Sequence, residues 1–286
     1  LSYDEAVRWG VLAVVVAALS VVVSAAQASF PGKDGLIVFV RDGGKKPGIY
    51  VVAPSGKHLR RIVAIHSAGD LQPAWSPNGS SIAYLDLPSG DSPSIDVVSA
   101  QGVFRRSVAA GTSDQGENDG WTPAGRVSWL THDSSGGTCV HVDGASALNF
   151  CTTTWLNRGR WSSTGAYAGA EGTELVLVSP VGREHRIGAI ANPQSFDWSP
   201  SGSSIVFAEN DLNGPSALIG VVKPNGKDWH LLRGGHVDGA DPVWSPDGKH
   251  IVFANHKGLA IVDAHGRHLV QLTHNRHDGE PDWQSR

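Results

Sequence analysis

A tryptophan-plus-turn unit recurring about every 40 residues predicts an all-β chain, a six-bladed β-propeller of four-stranded antiparallel blades. Two further observations support that fold class. Each copy of the unit is followed by the same order of short apolar runs and glycine turns. The strands missing from a blade at one end of the chain are present at the other.

Residues 1–28 stand apart from the repeat. The apolar stretch from Val11 to Val23 is followed by Ala26-Gln27-Ala28, a small-x-small cleavage signature, so residues 1–28 read as an export signal and 29–286 as the propeller. Arg8 is the only basic side chain before the stretch. If the segment stays uncleaved, residues 10–28 form a signal anchor and the chain's only membrane contact. Either way the expectation is an exported protein, periplasmic or extracellular.

Residues 36–65 hold three strand-like runs, LIVFVRD, GIYVVAP and GKHLRRIVAI, without a tryptophan strand. Then come the copies. Trp75-Ser76-Pro77-Asn78-Gly79, Trp198-Ser199-Pro200-Ser201-Gly202 and Trp244-Ser245-Pro246-Asp247-Gly248 are close ones. Trp121-Thr122-Pro123-Ala124-Gly125 and Trp161-Ser162-Ser163-Thr164-Gly165 are looser. Trp283 stands alone near the C-terminus, and successive tryptophans are 46, 40, 37, 46 and 39 residues apart. Each unit reads tryptophan strand, tight turn, strand, loop, strand, glycine turn, strand. The Trp283 strand joined to residues 36–65 makes the sixth blade and removes the open sheet edges.

The repeat assigns roles to its own residues. Proline presets φ at the second turn position, and glycine takes the left-handed position that closes the hairpin. The glycine is present in all five complete copies, whereas Asp247 is replaced elsewhere by Asn78, Ala124, Thr164 and Ser201. Asp247 is therefore a turn residue. The six repeated tryptophans are expected between blades, each keeping its N–H for a partner. Trp155 and Trp229 fall outside the pattern and are freer to stack on a ligand. Cys139 and Cys151 lie opposite each other if the hairpin between them folds about Ala145, which predicts a disulfide in an exported chain.

The pattern Pro-x-Trp-Ser-Pro-Asp-Gly-x-x-Ile-x-Phe, best seen from Asp241 to Thr273, resembles the TolB-type propeller repeat, as does the outer-strand run from Leu59 to Ile62. The resemblance spans about residues 30–286. It implies a six-bladed propeller, often exported and often a protein-binding surface. The Tol-system protein carries an α/β domain ahead of its propeller. No such domain fits before residue 30 of this sequence, so a role in the Tol complex is not expected.

With 17% charged residues and a net charge of −4, the chain has no basic field for nucleic acid. It has no Gly-x-Ser-x-Gly nucleophile elbow and no cofactor motif. Function is expected in the loops that enter the inner strands around the channel, residues 66–72, 113–120, 155–160, 189–194, 234–241 and 274–280. Eight of the 13 histidines follow residue 229. The candidate binding residues are His236, Asp238, Asp241, His274, His277, Asp278 and Glu280, with Asp119 and Asp70. Three readings stay open: solvated turn chemistry, a recognition surface for a protein or another envelope or cell-wall component, and a His/carboxylate metal site. The expected function is a monomeric, non-catalytic binding module. The alternative is a propeller hydrolase or lyase with that metal site.

Overall fold

The computed structural model describes residues 29–65, 71–86, 93–108, 117–179, 183–188, 190, 193–210, 217–234 and 237–286. Strands β1 (Asp34–Arg41), β2 (Gly48–Val52) and β3 (Arg60–Ala64) form three-quarters of a blade. The first blade follows as β4 (Ala74–Trp75), β5 (Ser81–Asp86), β6 (Ser94–Ser99) and β7 (Phe104–Val108). The second is β8 (Glu117–Trp121), β9 (Val127–His132), β10 (Thr138–Val142) and β11 (Phe150–Thr152). The third is β12 (Asn157–Trp161), β13 (Tyr167–Glu171), β14 (Glu174–Val178) and β15 (Glu184–Ile187). The fourth is β16 (Pro193–Trp198), β17 (Ile205–Asn210), β18 (Ala217–Val222) and β19 (His230–Leu231). The fifth is β20 (Ala240–Trp244), β21 (His250–Asn255), β22 (Gly258–Asp263) and β23 (Val270–Gln271), and β24 (Asp278–Ser285) ends the chain.

These make six four-stranded antiparallel sheets, and β24 pairs with β1 to complete the sixth. The inner strands β4, β8, β12, β16, β20 and β24 touch in ring order, so the circle is closed. Arg41 of β1 clasps Asp278 of β24 through two hydrogen bonds, Nε to Oδ1 at 2.5 Å and Nη2 to Oδ2 at 2.8 Å. The same guanidinium lies 4.5 Å over the Tyr50 ring. A bidentate, charge-assisted pair therefore joins the two ends of the chain.

The repeated turns form as the sequence predicts. Gly79, Gly125, Gly165, Gly202 and Gly248 have φ between 62° and 82°. Each donates its N–H to the carbonyl three residues earlier, including the loose copies at Thr122 and Ser162. Asp247 accepts from the Ser245 hydroxyl and the Lys249 N–H, and Asn78 does the same work with Ser76 and Ser80. The outer strands are shorter than the apolar runs suggested. β19 and β23 span two residues each. Just before them, Asp228 and His268 adopt left-handed backbone conformations, as His58 does before β3.

Six apolar layers separate the blades, and each holds one repeat tryptophan packed on the preceding blade. Trp75 packs with Val38, Val40 and Ile49, and Trp121 with Ala83, Leu85 and Ile95. Trp283 likewise packs with Val252, Leu259 and Ile261. The expected N–H partner exists for three of the six: Ala74 O for Trp121, Ser128 Oγ for Trp161 and Arg160 O for Trp198. The indole N–H groups of Trp75, Trp244 and Trp283 are buried without one.

Cys139 and Cys151 are register partners in the β10–β11 hairpin and are joined by a disulfide. Trp155 stacks on His132 at 3.7 Å and Trp229 lies against Phe207 at 6.4 Å, so both outlying tryptophans have an internal ring neighbour. No helix among the described residues is long and apolar enough to cross a membrane.

Candidate functional site at the channel mouth

The inner strands bulge where they enter the ring. Register shifts fall between Asn118 and Gly120, between Asn157 and Arg160, between Pro193 and Ser195, near Asp241 and near Glu280. Gln72, Arg158, Asp241 and Glu280, each three residues before its blade's tryptophan, have φ of 46°, 50°, 50° and 50°. A non-glycine residue held there costs of order 1–3 kcal/mol, so something must over-determine it.

For Gln72, Asp241 and Glu280 a hydrogen-bond relay does so, running from the fourth blade through the fifth, sixth and first to the second. Ser195 Oγ accepts the Asp241 N–H at 2.9 Å, and Asp241 Oδ2 accepts the Glu280 N–H at 3.3 Å. Glu280 Oε2 accepts Leu71 N at 3.0 Å and Gln72 N at 2.7 Å. Gln72 Oε1 accepts Asn118 N at 2.8 Å, and Asn118 Nδ2 returns a bond to Gln72 O at 2.7 Å. Each side chain thus satisfies the backbone of the following blade. Arg158 Nη1 crosses the mouth to Asp241 Oδ1 at 3.4 Å.

A second tier lies deeper. Asp119 Oδ1 accepts Gly159 N at 3.1 Å, and its Oδ2 accepts the Tyr167 hydroxyl at 2.9 Å. Position 159 has to be glycine, because a Cβ would lie 1.6 Å from that hydroxyl and 2.4 Å from Asp119 Oδ1. Asp197 Oδ2 accepts Trp244 N at 3.0 Å, and Asp282 Oδ2 accepts Trp75 N at 2.5 Å. Burial pushes Asp197 up to about 6, against the pull of Ser29, the Trp244 N–H and Arg160. Burial pushes Asp282 up to about 7, and the neighbouring Asp197 charge adds to the rise. Asp282 is half-buried and lines the channel cavity with Asp119, Arg160 and Asp197.

The expected site residues divide accordingly. Asp241 and Glu280 meet at the mouth, lining one cavity with Gln72, Arg158, Arg160 and Ser195. Asp119 sits in the deeper tier. Asp278 is buried in the Arg41 clasp, and His277 Nδ1 lies 3.2 Å from Asp42 Oδ1 on the closing blade. Asp238 and His274 are exposed. His236 and Asp70 lie outside the described residues.

Among the described residues, three metal-capable side chains come together only as Asp34, Asp247 and His250, on the turn side of the ring. Asp247 there is engaged by the turn and by Lys249 Nζ at 3.2 Å. His274, His277 and Asp278 belong to no such group. Sequence reasoning did not single out Gln72, Arg158, Arg160, Ser195, Asp197 or Asp282. A signal existed for three of them. The residue before the tryptophan is Ala74, Gly120 or Val243 in three copies and Arg160, Asp197 or Asp282 in the others.

No family model and no curated protein matches the chain in sequence. Its fold is similar to TolB from Acinetobacter baumannii, with a TM-score of 0.68 and 18% identity over 88% of this chain and 67% of that one. It is also similar to hydrazine synthase from Kuenenia stuttgartiensis, with a TM-score of 0.53 and 14% identity over 82% and 75% of the two chains. The chain is a TolB-like propeller in fold, and likeness at these identities carries no activity with it.

Proposed function

We propose that this chain is an exported, non-catalytic propeller that presents its channel mouth to a protein or another macromolecular component of the cell envelope. The observation that carries this reading is the relay of Ser195, Asp241, Glu280 and Gln72, whose acceptors are engaged by the backbone N–H groups of the following blade. Groups used in this way hold a rigid rim and are poorly placed to exchange protons or bind a metal. What the mouth face offers a partner is charged, with Arg158 and Asp241 in the cup and Asp238 and His274 exposed on the loops that lead to it. Such a surface suits a macromolecule better than a small apolar ligand. Export is supported by the apolar stretch before residue 28 and by the disulfide.

The test is affinity capture from envelope extract with the propeller as bait. Asp238→Lys with His274→Glu is expected to reduce capture of the partner at least tenfold, while Asp247→Ala on the turn side leaves it unchanged. Equal capture by the rim variant overturns the reading. Stoichiometric metal in the purified protein, lost on His274→Ala with His277→Ala, would favour the hydrolase or lyase alternative instead.

A further inference from the structure

The channel interior carries an excess of negative charge. Asp119, Asp197 and Asp282 face it, with Arg160 as the one cation among the described residues lining that cavity. Asp119 is well served by its two donors from the third blade. Asp282 feels the charge of Asp197, and the Arg160 charge acts on both carboxylates.

Ser29 reaches into this cavity. Its hydroxyl donates to Asp197 Oδ2 at 2.5 Å and lies 3.1 Å from Trp244 O. Its position is fixed from the downstream side. Phe30 is 7% exposed and packed in the layer with Ala74 and Trp121. Ser285 Oγ donates to Pro31 O at 3.0 Å, and Gly32 N to Pro246 O at 3.3 Å. Lys33 and Arg286 exchange two backbone hydrogen bonds, at 2.8 and 3.0 Å. In a serine the α-nitrogen is about 3–4 Å from its own Oγ, depending on the rotamer, which puts it within about 6 Å of the Asp197 carboxylate. That is inside the range over which opposite charges shift each other's protonation.

We propose that Asp197 and Asp282 form an ammonium-binding site whose ligand is the chain's own α-amino group, created by cleavage between Ala28 and Ser29. The proposal rests on the export reading of residues 1–28. Hydrolysis by a signal peptidase adds one water across that peptide bond. Residues 1–28 leave with a new carboxylate, and the Ser29 amine takes up a proton. A neutral peptide nitrogen becomes a cation near the Asp197 carboxylate, at the cavity that Asp282 also lines. The cleavage signature and the seat of Ser29 are independent observations, and they meet at the same bond. Processing thereby completes the charge balance of the channel, and the exported ring differs in stability from its precursor.

The sign follows from linkage. Without the ammonium, the buried pair favours its protonated forms, so the folded ring binds more protons than the unfolded chain and stability falls as pH rises from about 4 to about 7. With it, the carboxylates ionise at lower pH. The ammonium's own contribution is lost only as pH rises through its folded pKa, above the usual value of about 8.

Residues 29–286 contain the whole ring, so urea midpoints are compared across pH for protein beginning at a free Ser29 amine and for the same protein acetylated there. The free form is expected to hold its midpoint from pH 5 to 7.5 and the acetylated form to decline over that range. In the free form, acylation of the Ser29 amine at pH 8 is expected to be at least tenfold slower than in Asp197→Asn with Asp282→Asn. Superimposed pH profiles, or equal acylation rates, overturn the counter-ion role while leaving export intact. N-terminal sequencing of the exported protein separates the two ideas: retention of residues 1–28 overturns both, and Ser29 as first residue supports both.

Discussion

At Asp119 one carboxylate receives two donors from the next blade, the Gly159 N–H and the Tyr167 hydroxyl, at a residue only 2% exposed. Asp119→Ala would leave both donors buried and unsatisfied, a loss of about 3 kcal/mol. Asp119→Asn keeps one acceptor oxygen but turns an NH2 towards a donor, so its loss is expected to be intermediate. Urea midpoints of the three proteins check the order. The sequence marked Asp119 as a candidate because it is a carboxylate in a mouth loop. It could not mark its role, because Gly159 and Tyr167 are 40 and 48 residues away. Asp278 teaches the same lesson. Its neighbours His274 and His277 suggested a ligand set, yet its partner is Arg41, which the ring closure brings to it from the other end of the chain.

The elements were more legible than the contacts. Comparison of five turn copies separates the fixed glycine from the variable carboxylate, and left-handed φ values at all five glycines bear this out. The second blade departs from the repeat at its turn and at its outer edge. Its turn is a loose copy, and its outer strand β11 spans three residues. An edge that short has few ladder hydrogen bonds, and the Cys139–Cys151 bond supplements them. Closing a loop with a separation of 12 residues is worth about 3 kcal/mol by the chain-entropy account. Cys139→Ser with Cys151→Ser is therefore expected to lower the unfolding free energy by about 2–3 kcal/mol. A reductant should lower the wild-type midpoint and leave the double variant's unchanged; a wild-type midpoint insensitive to reductant would contradict this. The left-handed residues Gln72, Arg158, Asp241 and Glu280 had no such signature. A left-handed polar residue is stabilised by acceptors from the adjacent blade, and no local pattern encodes that.

For the whole molecule, closure is what turns six similar sheets into one cooperative unit. The blade count and the pairing of β24 with β1 followed from counting strands in the sequence, because a repeat with one end missing must find its complement at the other. The relay around the mouth was not readable in this way, since every bond in it joins neighbouring blades. Both depend on β24. It carries Trp283 between the fifth and sixth blades, Glu280 and Asp282 as acceptors for the first blade, and Asp278 in the clasp. An open stack of blades would unfold piecewise, each unit answering only to its neighbours. Trp283→Ala keeps the strand and is expected to cost about 3–5 kcal/mol while preserving a single transition. Ending the chain after His274 removes β24 altogether. It should expose the layer between the fifth and sixth blades, split urea unfolding into broad, probe-dependent steps and shift the protein towards oligomers by size-exclusion chromatography. A truncated chain that stayed monomeric and unfolded in one sharp transition would show that the blades cooperate without the ring.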